Sequence, residues 1–253
     1  MARRFSRVRP VGSLLALTVL SGVAQGVLAQ GTGTRAISAT VGATSDFVFR
    51  GLSYTRGKPA GLASLDVEFP SRTYVGGFLS SADPNPGPSP VVEMDFWLGH
   101  HWSLGRSLSA DLRLTHYLYP DDPRVADYDR DELTATLGVR DTVFLSATYS
   151  PNTDAIGSTA GFTEGDVWTV ELSARRSLGG RFSIGAGAGY YGLDEVYDDG
   201  YAYWNLTLIA EFAPLQLQLA ALGADSAAER LFGTRSAGER IALTVLYRFA
   251  ATR

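Results

Sequence analysis

Five groups of residues in this chain have types and spacings that chemistry could use. In "SDFVFRGLSY", residues 45–54, Asp46 and Arg50 flank an aromatic run. Four residues along a strand is about 13 Å, so this carboxylate and guanidinium cannot pair with each other. Each needs a partner elsewhere: Asp66 and Glu68 lie in the next strand, and closure of a barrel would bring Arg248 close. His100, His101 and His116 are the only histidines, and no serine in a nucleophile motif accompanies them. His100 and His116 fall on the apolar parity of adjacent strands at opposite ends, which reads as interfacial placement and not as a hydrolase pair. "DYDRDE" starts like a calcium loop with Asp127, Asp129 and Asp131. Glu132 stands where the loop needs glycine and Gly138 where it needs glutamate, so it reads as a solvated acidic loop. The acidic group Asp194, Glu195, Asp198 and Asp199 reads the same way. Gly187, Gly189 and Gly192 have dinucleotide-loop spacing, but no helix follows and the stretch is itself a strand. There is no cysteine, which excludes thiolate metal sites and cysteine nucleophiles. No catalytic residue, metal ligand or cofactor is assigned.

The elements that must position these residues are strands. The first 29 residues read as an export signal: Arg3, Arg4, Arg7 and Arg9, an apolar run Val11 to Leu20, then Val27 and Ala29 at the −3 and −1 cleavage positions. The apolar run is too short to span a bilayer. Residues 30–253 form the mature domain. Removing four arginines leaves 18 basic against 26 acidic residues, which argues against nucleic-acid binding. From Arg35 onward the chain alternates apolar and polar residues, the period of a strand between two solvents. Twelve such runs fall at 36–50, 61–69, 72–80, 91–103, 107–119, 132–140, 142–150, 166–177, 181–192, 201–212, 214–223 and 239–249. Tight turns alternate with long polar loops, including the proline-rich "ADPNPGPSP" at 82–90, a stiff surface loop that could instead fold inward. That layout predicts an all-β fold: a closed antiparallel transmembrane β-barrel of about 12 strands, with short periplasmic turns and long extracellular loops.

Aromatic placement points the same way. On the apolar parity, Phe69, Trp102, Phe182, Phe212, Tyr247 and Phe249 cluster near the short turns. Phe47, Phe49, Tyr149, Trp168, Tyr190 and Trp204 cluster near the long loops, giving the two girdles of a membrane barrel. The opposite parity collects charge: Asp46, Arg50, Asp66, Glu68, Glu93, Asp95, Asp111, Arg113, Glu132, Glu171, Arg175 and Glu211. Charges at the midplane cannot face lipid, so these are the candidate lumen-lining residues. They either line a water-filled pathway or pair across a narrow interior and plug it; acids outnumber bases, which favours the pathway and cations. Arg50 is expected near the outer rim, on an acid of the second strand or on loop carbonyls. Gly185, Gly187 and Gly189 share the lumen parity and leave room for long side chains opposite.

"SDFVFRGLSYT", "GLASLDVEF", "TYVGGFLSS" and "VEMDFWLGH" together resemble the TorF-like, Gcw-type family of proteobacterial porins. The most recognisable element is Ser-Asp-aromatic-Val-Phe-Arg-Gly-x-Ser, and the resemblance covers residues 37–249. One departure is that Phe249 is followed by "AATR", where such barrels usually finish on an aromatic residue. The resemblance implies an outer-membrane porin, and the excess of lumen acids adds that small cationic or neutral solutes would pass it by passive diffusion. Its partners would be outer-membrane lipid, the solutes and the barrel-assembly machinery, and it would act as a monomer. The other roles open to such a barrel are a closed structural or ligand-binding protein working through its loops, and a lipid-modifying enzyme. Terminal sequencing of protein recovered from outer membranes should begin at Gln30; a chain still carrying Arg3 and Arg4 would refute the signal assignment.

Overall fold

The computed structural model describes residues 35–81, 92–120, 128–154 and 164–252. The signal segment, loop residues 82–90 and the aspartates at 121, 122 and 127 lie outside them. The wall is built from β1 (Ala36–Thr44), β4 (Ala60–Glu68), β5 (Thr73–Ser80), β6 (Glu93–Ser103), β7 (Leu108–Leu118) and β8 (Arg130–Val139). It continues through β9 (Val143–Asp154), β10 (Glu164–Gly179), β11 (Phe182–Leu193), β12 (Asp199–Phe212), β13 (Leu215–Ala224) and β14 (Arg240–Thr252). Each wall strand pairs antiparallel with its chain neighbours, and β1 closes the ring on β14 from Thr44↔Thr244 to Ala36↔Thr252. The result is a closed barrel of twelve strands. Closure gives every wall strand a ladder on both edges, which hydrocarbon demands because it offers no other hydrogen-bond partner.

The predicted alternation holds around the ring. Leucines on the apolar parity, such as Leu65, Leu98, Leu114, Leu137, Leu172 and Leu243, face outward and are exposed. In a soluble protein such a continuous apolar exterior would be an aggregation surface; around a barrel it is the lipid contact. The outward aromatics sort to both rims, with Trp168 and Tyr190 in contact at 5.5 Å on the long-loop side and Tyr247 and Phe249 at 4.6 Å on the other. His100 accepts or donates to Thr73 at 3.0 Å, and His116 lies 3.0 Å from Asp131. Across β6 and β7, His116 faces Phe96 whereas His100 faces Leu112, so the two histidines sit at different levels, as expected.

Three features depart from the expectation. The first predicted run, 36–50, is a wall strand only as far as Thr44. Residues 45–59 leave the wall and fold back inside it around a small hairpin, β2 (Val48–Phe49) and β3 (Leu52–Ser53). Phe47 and Phe49, expected at the lipid interface, are therefore buried inside the barrel. Two long loops also carry short helices, α1 (Asp194–Tyr197) and α2 (Ser226–Phe232), the latter capped by Asp225, whose carboxylate accepts from the Ala227 and Ala228 amides.

The outward face gives a direct test of membrane embedding. Leu172 lies in the middle of β10 and is 56% exposed. Leu172→Arg should destabilise the barrel by about 2–4 kcal/mol in lipid vesicles. Leu172→Ala should cost clearly less, and equal costs in reversible unfolding would contradict a lipid-facing wall.

Candidate functional site: the lumen

The inner hairpin is built by its own sequence. Asp46 is the knot at its base: the carboxylate accepts from the hydroxyls of Ser53 at 2.5 Å and Thr55 at 2.8 Å. It also takes Arg240 of β14 at 3.0 Å, which ties the hairpin to the wall. The Phe47 amide donates to the Thr55 hydroxyl at 3.0 Å, and the Ser53 amide donates to the Ser236 carbonyl at 2.8 Å. At the tip, Arg50 and Gly51 both have positive φ, 47° and 80°. Gly51 is required for a second reason: a Cβ there would meet the Tyr203 Cβ at 2.8 Å and the Gly223 carbonyl at 2.9 Å. The tip is thus pressed against β12 and β13 with no room for a side chain.

Both faces of the hairpin are apolar because both are buried. Phe47 stacks on Phe78 of β5 with centroids 5.9 Å apart, and Phe49 meets Tyr117 of β7 at 6.1 Å. On the other face Val48 packs with Ala220 and Leu222 of β13. With Tyr54, Tyr119, Tyr128, Tyr191, Tyr201, Tyr203 and residues of α1 and α2, the hairpin forms one apolar cluster in the long-loop half of the lumen. Burial pushes the Tyr54 phenol well above its usual range.

Arg50 crosses the lumen to Glu132 on β8. The pairing is bidentate, with Nη1 and Nη2 donating to Oε1 and Oε2 at 2.8 Å each. In the ring, β8 lies five places from β1 in one direction and seven in the other, so the segment that leaves β1 is fastened to a carboxylate on the far side of the wall. The Arg50 guanidinium also lies over the Phe49 ring at 4.5 Å and the Tyr191 ring at 4.7 Å. Burial works against its charge, but Glu132 together with Tyr191 and Tyr117 more than offsets this, and the guanidinium is held charged. This corrects the expected rim position: Arg50 is bonded neither to Asp66 nor to Glu68, and Arg248 is not its neighbour but donates to Gln216 at 2.5 Å. Glu132 is also held by Tyr117, whose hydroxyl donates at 3.1 Å, while Arg130 lies at 3.5 Å and over the Tyr117 ring at 3.9 Å.

The other charged residues divide by level. Toward the long loops, Glu93 accepts from the Tyr119 hydroxyl at 2.5 Å, and Asp95 is fully buried with neither oxygen hydrogen-bonded. Arg113 is buried on β7 without an ion pair among the described residues. Toward the short turns, Asp66, Glu68, Asp111, Arg175 and Glu211 are all only partly buried, as is Glu171 near mid-strand. Asp111 accepts from the Tyr74 hydroxyl at 2.8 Å and lies 3.9 Å from His101; Glu171 accepts from Tyr203 at 2.9 Å; Glu211 accepts from Gln216 at 3.3 Å. Arg175 donates to the Asp141 carbonyl at 3.4 Å. Tyr203 reaches Glu171 by lying across Gly189, where a Cβ would meet its hydroxyl at 2.5 Å, which is the room the lumen glycines were expected to leave. No group of three metal-ligating acids and histidines occurs among the described residues. Asp199 of the acidic loop pairs with Arg230 at 3.1 Å.

A closed twelve-strand barrel with an apolar exterior, aromatic rims and inward-facing charges defines a transmembrane β-barrel. The chain belongs to the family described as "Bacterial protein of unknown function (Gcw_chp)", whose model matches residues 28–252. No curated protein matches it significantly. Among solved structures it is similar in fold to an outer membrane channel from Pseudomonas putida F1, with TM-score 0.53 and 16% identity, covering 95% of this chain and 98% of that one. The NanC porin gives TM-score 0.53 at 8% identity over 86% of this chain and 99% of that one. The KdgM porin gives 0.52 at 10% identity over 85% and 99%.

The hairpin seat predicts a local effect of breaking its pin. Removing one partner of a buried bidentate pair costs about 3–5 kcal/mol. Glu132→Gln should therefore unseat residues 45–59 while the wall ladders persist. Trypsin added from the long-loop side should cut after Arg50 in the variant and spare that buried bond in the native protein; equal resistance there would contradict the pin.

Proposed function

We propose that the protein is an outer-membrane channel for passive diffusion of small cationic or neutral solutes, in a form whose long-loop half is closed by the inner hairpin. The reading keeps the porin role that the TorF-like resemblance implies. It places the mature chain in the outer membrane after loss of residues 1–29, with lipid, solutes and the assembly machinery as its partners. No catalytic step belongs to it.

The observation that carries it is how the lumen charges are partnered. In the closed half, Asp46 and Glu132 are neutralised by Arg240 and Arg50. In the partly exposed half, Asp66, Asp111, Glu171 and Glu211 make no ion pair with arginine or lysine among the described residues. Carboxylates lining a lumen without a cationic partner attract cations and repel anions. One specific feature favours the alternative of a closed ligand-binding barrel, namely the apolar cluster itself, which fills the lumen where the loops meet it. The two readings part on conduction.

Planar bilayers in asymmetric KCl decide between them. The channel reading expects conductance with a reversal potential on the cation side, and expects Asp66→Asn with Glu211→Gln to lower the cation-to-anion permeability ratio about twofold. No conductance, even after unseating the hairpin by Glu132→Gln, would reject the channel. Anion preference would reject the role given to these carboxylates.

A further inference from the structure

The seat of Arg50 is composed almost wholly of wall residues. Glu132 and Arg130 come from β8, Tyr117 from β7 and Tyr191 from β11, whereas Arg50 arrives on a separate segment folded in from outside the wall. The Glu132 carboxylate is pre-aimed by the Tyr117 hydroxyl, and the Tyr191 face covers the plane of the guanidinium at 4.7 Å. Two parallel N–H bonds to one carboxylate plus an aromatic face is a geometry that selects a planar guanidinium over a compact ammonium. From this we infer that the wall carries a guanidinium-binding site and that Arg50 is its built-in occupant. Solutes bearing a guanidinium group would compete with the hairpin for Glu132.

The occupant is poised to leave. Its tip holds a non-glycine residue at φ 47°, a conformation maintained only by its surroundings. Beneath the tip, Asp95 lies in register between Phe78 and Tyr117, the two wall residues on which Phe47 and Phe49 pack. Both Asp95 oxygens and the Thr115 hydroxyl beside Trp97 are buried without hydrogen bonds. Seating the hairpin thus leaves polar groups unsatisfied, and lifting it would return them to water. The bidentate bond and the aromatic packing oppose that penalty, so an external guanidinium that replaces the bond shifts the balance.

The inference rests on the channel reading for its biological meaning, but the site itself can be tested by binding alone. In Arg50→Ala the seat is vacated. Millimolar methylguanidinium, far below denaturing concentrations, should raise the unfolding temperature of the detergent-solubilised variant saturably, and ethylammonium should not. The response should vanish when Glu132→Gln is added to Arg50→Ala. Equal effects of both cations, or a response that survives Glu132→Gln, would overturn the inference; so would no response, as expected if Arg130 collapses onto Glu132. In bilayers, the Arg50→Ala channel should conduct more than the native one and be blocked by methylguanidinium at the same concentrations. If binding passes and conduction fails in every form, the site stands and the channel reading falls. If conduction passes and binding fails, the site falls and the channel stands.

Discussion

A strand in hydrocarbon has no place to leave an unpaired N–H or C=O, and most of this molecule follows from that constraint. It requires the ring to close, and it sets β1 and β14 in a ladder nine residues long although they lie at opposite ends of the wall sequence. It also forces the side chains to choose between two solvents. Leucines and rim aromatics go outward, and charged residues at the middle of the wall turn in, while Asp131 stays outward only at the rim beside His116. Once the ring is closed, the interior has to be dealt with, and here the protein divides its lumen into two levels.

At the long-loop level the solution is dry. Residues 46–55, which might have formed an exposed loop, are folded inward, and their hydrophobic side chains meet a ring of wall tyrosines. Such a cluster could form with the hairpin in more than one orientation if it were apolar alone. The polar contacts remove that freedom. Asp46 fastens the base through Ser53, Thr55 and Arg240, and Arg50 fixes the tip to the opposite wall. Buried ion pairs rarely add much net stability over a well-packed apolar core, but they do specify a single arrangement, and this pair sets how far the hairpin reaches.

The wall was legible in the sequence because its rule has period two and repeats around the ring. Strand positions, turn lengths, rim aromatics and the inward parity of Asp66, Asp111, Glu171 and Glu211 all follow from that single alternation. The hairpin was not legible by the same rule, since a strand buried on both faces can share residues with one that faces lipid. There was a signal: Phe47, Val48 and Phe49 are consecutive, so Val48 breaks the alternation and puts an apolar residue on the lumen parity. A wall strand bordering water would not do so, whereas a strand packed against Ala220 and Leu222 must. The partner of Arg50 was out of reach for a different reason. Glu132 is 82 residues away and nothing local in the chain points to it; only the diameter of the closed ring brings the two together.

The "SDFVFRGLSY" motif therefore describes a folded insert and not a rim. Its serines and aspartate make the base, its phenylalanines fill the bore, Gly51 lets the tip approach β12 and β13, and Arg50 binds the far wall. Each is needed for an insert of this length to cross a twelve-strand lumen, which explains why the residues occur as one block. Beneath the hairpin the carboxylates are only partly buried, and Asp111, Glu171 and Glu211 are held by tyrosine and glutamine donors. A dry, pinned upper half above a partly exposed, acidic lower half is the arrangement that a single inward-folded segment imposes on a barrel of this width.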